Sequence, residues 1–380
     1  MPKRGRPRGG AKRVIANAVD LWSLLTQCAQ AMANYDTRIA HDKLKLIRLH
    51  CSPYGEATER LAQYFADALE DRLAGTGIEL YTAFAKRTIS AADILKAFQH
   101  AHSGRCLNIF ANKSIGMLTR EATNIHIIDF GILYGFQWPC FIQGISIRPS
   151  GPPKLRVTGI DFPQPGFRPA ERVEETGRRL AKYCKRFNVP FEYNAIAKKW
   201  GSIQLEDLKI NRDEMLVINC LYWLINVPDE TVYENSPRDD VLRLIKQIKP
   251  DVFLHGIVNG AYNSTFFVIR FKEALFHFSS LFDMMEATVP RENQERVLFE
   301  KVNFGKEIMN LVAFEGTARR DQRAGFRQLP LEQDIVKEVR AKVQRRYHKD
   351  FLVDEDGYWM LQGWKGRVIY ALSCWKPVDN

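Results

Sequence analysis

The stretch Asn124-Ile125-His126-Ile127-Ile128-Asp129-Phe130-Gly131 decides the fold. Apolar residues run into an acid and then a glycine, the pattern of the first strand of an open α/β sheet, where the chain turns beneath a ligand crevice. The next residues, Ile132-Leu133-Tyr134-Gly135, lead into an apolar helical stretch. A turn that cradles a cofactor needs a central glycine, because only a residue without Cβ lets the backbone approach the ligand. Leu133 stands at that point. The run therefore combines an enzyme-like strand with an obstructed turn.

Downstream, strand patterns over Leu155–Asp161, Phe191–Ile196, Met215–Asn219 and Val252–Val258 alternate with helical ones. The cleanest helix is Val241, Leu244, Ile245 and Ile248, closed by Pro250. Strand–helix alternation specifies a parallel sheet with helices on both faces. Two helices follow, Phe266–Met285 and about Arg291–Phe314. Segments Tyr358–Leu361 and Arg367–Ser373 then read as an antiparallel hairpin across Gly363 to Gly366. The expected fold is α/β: a methyltransferase-like, Rossmann-type, mostly parallel sheet with a C-terminal antiparallel hairpin. Upstream the period is helical. Asp20 is a candidate N-cap for Leu21, Leu24, Leu25, Cys28, Ala29 and Met32. Helices are expected over Arg38–His50, along Leu61, Tyr64, Phe65, Ala68 and Leu69, and twice within 90–122. The division expected is a basic arm (1–18), an N-terminal helical cap (19–122) and an α/β core (123–380).

The 380 residues carry a net charge of +11, and six of the cations (Lys3, Arg4, Arg6, Arg8, Lys12, Arg13) open the chain with no acid among them. Such an arm is disordered in isolation and suits a polyanion, nucleic acid before membrane, since nothing amphipathic accompanies it. Arg4-Gly5-Arg6-Pro7, followed by Arg8, has the core of an AT-hook, narrow enough for an A·T-rich minor groove. A nuclear-import signal and a solvated tail are the competing readings. The seven cysteines (28, 51, 106, 140, 184, 220 and 374) are scattered singly, which excludes a disulfide scaffold or zinc module and fits a reducing compartment. No apolar run reaches bilayer length.

These residues resemble the GRAS family of plant transcriptional regulators, nearest its scarecrow-like branch. Ile125-His126-Ile127-Ile128-Asp129 stands where that family has Val-His-Ile-Ile-Asp, flanked by leucine-rich helices. Phe266-Phe-Val-Ile-Arg270-Phe-Lys-Glu273, Arg291-Glu292 and Phe304-Gly305-Lys-Glu307-Ile resemble its proline/phenylalanine/tyrosine/arginine-glutamate segment. Trp364-Lys-Gly-Arg-Val-Ile-Tyr-Ala-Leu-Ser373-Cys374-Trp375 resembles its serine-alanine-tryptophan close, with cysteine for alanine. Coverage runs from about Val19 to Trp375. Between Gly316 and Arg323 the chain has only Thr-Ala-Arg-Arg-Asp-Gln, shorter than the family's tryptophan-containing connection. Such regulators carry a variable region before the domain, so the chain reads as their functional core. The resemblance implies a nuclear transcription regulator that is not an enzyme, that self-associates as a homodimer, binds other transcription factors and contacts double-stranded DNA. The alternatives are an S-adenosylmethionine-dependent methyltransferase or small-ligand receptor using the Asp129 pocket, and a protein-only scaffold without DNA contact.

The candidate sites follow. Lys342, Arg345, Arg346 and Lys349 fall at i, i+3, i+4 and i+7, opposite Ile335, Val339 and Val343, and could lie along a phosphate backbone or form a solvated face. Arg179, Lys182 and Arg186 end a helix opened by Glu171, Glu174 and Glu175, an order the helix dipole favours, so this stripe reads as structural. Leu21-Trp-Ser-Leu24-Leu25 matches Leu-x-x-Leu-Leu, but its leucines continue a core stripe. Asp129, Gly131, Gly135 and Asp161 outline a vestigial cofactor pocket. Asp161 is placed to bind the ribose of S-adenosylmethionine, while Leu133, Tyr134, Phe130 and Phe136 crowd it. With no ligand, Asp129 would instead hydrogen-bond the N-terminus of the next helix. No metal motif, nucleophile elbow or phosphate loop occurs, His126, His255 and His277 read as core histidines, and no cofactor is expected.

Overall fold

The computed structural model describes residues 19–74, 103–164, 166–226, 237–258, 266–313 and 326–378. The arm with Arg4, Arg6 and Arg8, residues 75–102 with the first of the two helices expected within 90–122, and the 316–323 connection lie outside the described residues.

Three helices open the described chain: α1 (Leu21–Ala33), α2 (Thr37–His50) and α3 (Ala57–Ala74). Each of the first two starts on an aspartate. Asp20 accepts from the Ser23 amide and Asp36 from the Ile39 amide, both at 3.0 Å, satisfying donors that a helix start leaves open. The Leu-x-x-Leu-Leu leucines face inward, with Leu21 and Leu25 buried. Helix α4 (Ser103–Leu118) leads into β1 (Asn124–Phe130), and alternation then runs α5 (Trp138–Ser146), β2 (Lys154–Asp161), α6 (Glu171–Arg186), β3 (Phe191–Ala197), β4 (Met215–Leu221), α7 (Pro237–Ile248) and β5 (Val252–Val258). The chain continues through α8 (Phe267–Thr288), α9 (Gln294–Phe299), a π-helical turn (Glu300–Gly305), α10 (Lys306–Ala313), β6 (Phe326–Gln328), α11 (Gln333–Arg346), β7 (Phe351–Asp356), β8 (Trp359–Trp364) and β9 (Arg367–Pro377).

The strand order is β3-β2-β1-β4-β5-β9-β8-β7, with β6 also on β9. Strands β1 to β5 are mutually parallel, and β1 sits between β2 and β4 at the centre. The antiparallel end is larger than the hairpin expected. Beyond β8 and β9, β7 extends the edge and a short β6 pairs with β9. β7 ends in Asp354-Glu355-Asp356 and β6 has three residues, so neither shows a half-buried alternation. The β8–β9 turn is Lys365-Gly366, with φ of +47° and +81°, the left-handed pair whose twist matches a two-residue hairpin.

One sheet face is covered by α4, α5, α6 and α11, through residues such as Phe110, Phe141, Leu180 and Val339. The other face is covered by α7, through Val241, Leu242 and Ile245, together with Trp200. A third core joins α1, α2 and α3 to α8, α9 and α10. The helical layer thus draws on both ends of the sequence, and α4 belongs to the sheet. The single helix expected across Arg291–Phe314 is two helices separated by the π turn, which faces Glu300, Phe304 and Gly305 inward. Gly305 is needed there, because a Cβ would lie 2.9 Å from the Tyr64 ring. Among the described residues no helix is long and apolar enough to cross a membrane, and no three metal-ligating side chains cluster.

Candidate functional site

The crevice outside the carboxyl ends of the parallel strands is where an open α/β sheet binds ligands. Asp129 ends β1 there, fully withdrawn, and its register partner on β4 is Asn219. Asn219 donates to Asp129 Oδ1 at 2.9 Å, and the Trp138 indole donates to Oδ2 at 2.7 Å. The Gln137 amide pairs with the Asn219 amide at 3.2 Å. Asp129 therefore holds the next helix by the side chain of its first residue, not by backbone amides as expected. Burial raises the Asp129 carboxyl to about 7, despite the two bonds that favour its ionised form.

The turn after β1 is held from α6. Thr176 Oγ1 donates to the Leu133 carbonyl at 2.6 Å, and Arg179 donates to the Tyr134 carbonyl at 2.7 Å. Leu133 itself is left-handed, φ +47°, so the turn keeps a glycine-like backbone while carrying a branched side chain. Gly131, φ +91°, is required by a neighbour in the chain, since a Cβ would meet the Trp223 indole at 2.3 Å. Trp223 belongs to an aromatic group in which Phe162 stacks on Trp200 at 5.4 Å. Gly135, φ +63°, is buried against Thr176.

Asp161, at the end of β2, is claimed by an internal cation. Arg172 of α6 donates to it through Nε at 2.6 Å and Nη2 at 2.8 Å, and the Phe162 amide adds a third bond at 2.8 Å. The position expected to bind ribose hydroxyls is filled by a guanidinium. With Trp223 against Gly131, these residues do not fit S-adenosylmethionine. Arg172, Thr176 and Arg179 lie at i, i+4 and i+7, a stripe that was legible on α6. Of the expected stripe Arg179, Lys182 and Arg186, Arg179 holds the turn, and Lys182 and Arg186 are exposed.

The motif residues serve mostly as internal contacts. Ile125, Ile127 and Ile128 are buried. His126 Nε2 meets Thr158 Oγ1 at 2.8 Å, and burial, with Arg156 nearby, lowers its imidazole to about 3. Arg270 is buried and Glu273 half-buried on α8. Trp364 donates to Asp283 at 2.6 Å, and Trp375 to Ser373 Oγ at 2.7 Å. Arg291 and Glu292 are exposed, and Arg291 pairs with Glu286 on the surface. Besides Arg270, three buried charges here carry no signal in the sequence: Arg60, Arg296 and Glu300.

On α11, Ile335, Val339 and Val343 are buried as expected, Lys342 is half-buried, and Arg345 and Arg346 are exposed. Lys349 is exposed but lies past the helix, which ends at Arg346. Tyr347 turns extended and packs edge-on against Phe351 at 5.4 Å, leading the chain into β7. The four cations are thus a helix end and the turn after it, not one continuous helical stripe.

The profile of the GRAS domain family matches residues 21–376. Scarecrow-like protein 14 of Arabidopsis thaliana is 53% identical over 95% of this chain and 49% of its own length. Scarecrow-like protein 11 of the same plant is 51% identical over 100% of this chain and 66% of its own. Scarecrow-like transcription factor PAT1 is 30% identical over 94% of this chain and 76% of its own. The chain therefore spans between about half and two thirds of the first two relatives. The crystal structure of SCL7 in Oryza sativa superposes with a TM-score of 0.76 at 27% identity, covering 94% of this chain and all of that one.

Proposed function

The chain belongs to the GRAS domain family, and from that premise we propose that it is a nuclear regulator of transcription, acting as a homodimer through other transcription factors and in contact with duplex DNA. The observation that carries the reading is the crevice closed from within: Arg172 on Asp161, Trp223 against Gly131, and Trp138 with Asn219 on Asp129. A site filled by its own side chains serves a scaffold better than an S-adenosylmethionine enzyme, and a fold by itself licenses no activity. DNA contact rests on charge, namely the six cations of the arm and the exposed Arg345, Arg346 and Lys349. Self-association is supported by Phe266, Ile269 and Phe276, large apolar side chains exposed at the start and along the outer side of α8.

A protein-only scaffold is the second reading, because Arg345 and Arg346 occupy the last turn of α11, where the helix dipole alone favours cations. Duplex affinity measured against salt separates the two. Phosphate neutralisation gives a steep fall of log affinity with log salt, and removing residues 1–13 should flatten that slope. Affinity with no salt slope, or none at all, selects the scaffold. Sedimentation at micromolar concentration should show a dimer, and a monomer removes that part of the reading.

A further inference from the structure

We draw no further inference here: the strongest candidate, the apolar strip of Ile39, Leu46 and Leu49 exposed along the outer face of α2, carries nothing because nothing in the structure shows what covers it.

Discussion

The Arg60 guanidinium of α3 and the Glu300 carboxylate of the π turn meet at 3.1 Å, with both side chains wholly withdrawn from solvent. Arg60 also donates to the Gly55 carbonyl at 2.9 Å and pairs with Glu286 of α8, while Arg296 stands 3.6 Å from Glu300. The cluster clamps the N-terminal helices to the later ones. A buried ion pair contributes little net stability, but breaking one strands a charge in a low dielectric.

Arg60→Leu should therefore cost about 3–5 kcal/mol in urea unfolding, and Glu300→Leu a similar amount, because Arg60 and Arg296 are then left facing each other. The double variant should recover part of the loss. Arg291→Ala, at an exposed pair screened by solvent, should cost far less than either. Equal costs for Arg60 and Arg291 would remove the clamp.

Asp129 gives stability a pH dependence of definite sign. Its carboxyl is raised to about 7 in the folded chain, against about 3.9 unfolded. Between those values the folded state holds a proton that the unfolded state has released, so this group's contribution falls as pH rises from about 4 to about 7. His126 acts in the opposite sense. Lowered to about 3 when folded and about 6.5 unfolded, it destabilises as pH falls through that interval. The wild-type curve mixes the two. Asp129→Asn isolates one: measured by urea unfolding, the variant should gain on wild type from about pH 4 to about pH 7 and level off above that. A difference that is flat in pH shows that Asp129 titrates normally.

Much of the fold was legible because its signals are local. Apolar runs alternating with helical patterns marked β1 to β5, and Asp20 marked the start of α1, while the Asp36 cap of α2 went unread. The extra antiparallel strands were not, since β6 is short and β7 is acidic where it ends. The site was legible only at its strand ends. Asp129 and Asp161 stood out, but what each binds comes from elsewhere. Asn219 did leave a trace, as a polar residue inside the apolar run Met215–Leu221. Arg60 and Glu300 left none, because charges on helices read as surface until the fold brings them together. The cations at the end of α11 were read as one stripe because nothing in the spacing shows that the helix stops at Arg346.

Arg345 and Arg346 are exposed in the last turn of α11, with Arg345 Nε bonded back to the Ala341 carbonyl at 3.2 Å. The exposed Gln344 directly precedes them. A phosphate role for the two cations predicts contact that is independent of base sequence. Charge reversal at both should weaken binding about equally across duplex sequences and reduce the salt slope by about two. A loss confined to one sequence means base readout, and no loss leaves these cations to the helix dipole.

The last expectation concerns the closed crevice. Asp161 is almost fully buried, and Arg172 supplies two of its three hydrogen bonds. Arg172→Ala would leave a carboxylate withdrawn from water with one backbone amide as its only partner, which should cost about 1–3 kcal/mol in urea unfolding. It would also clear the position that ribose hydroxyls would need. Binding of S-adenosylmethionine should still be absent by calorimetric titration, in the variant as in wild type. Trp223 remains against Gly131, and Leu133 keeps a branched side chain where backbone must approach. Inserting ligand atoms into space already packed costs about 1–3 kcal/mol even where the surroundings shift, or one to two decades of affinity. Micromolar binding in wild type, lost in Asp161→Ala, would open the crevice to ligands after all. Binding gained only in Arg172→Ala would show that the guanidinium alone keeps the ligand out.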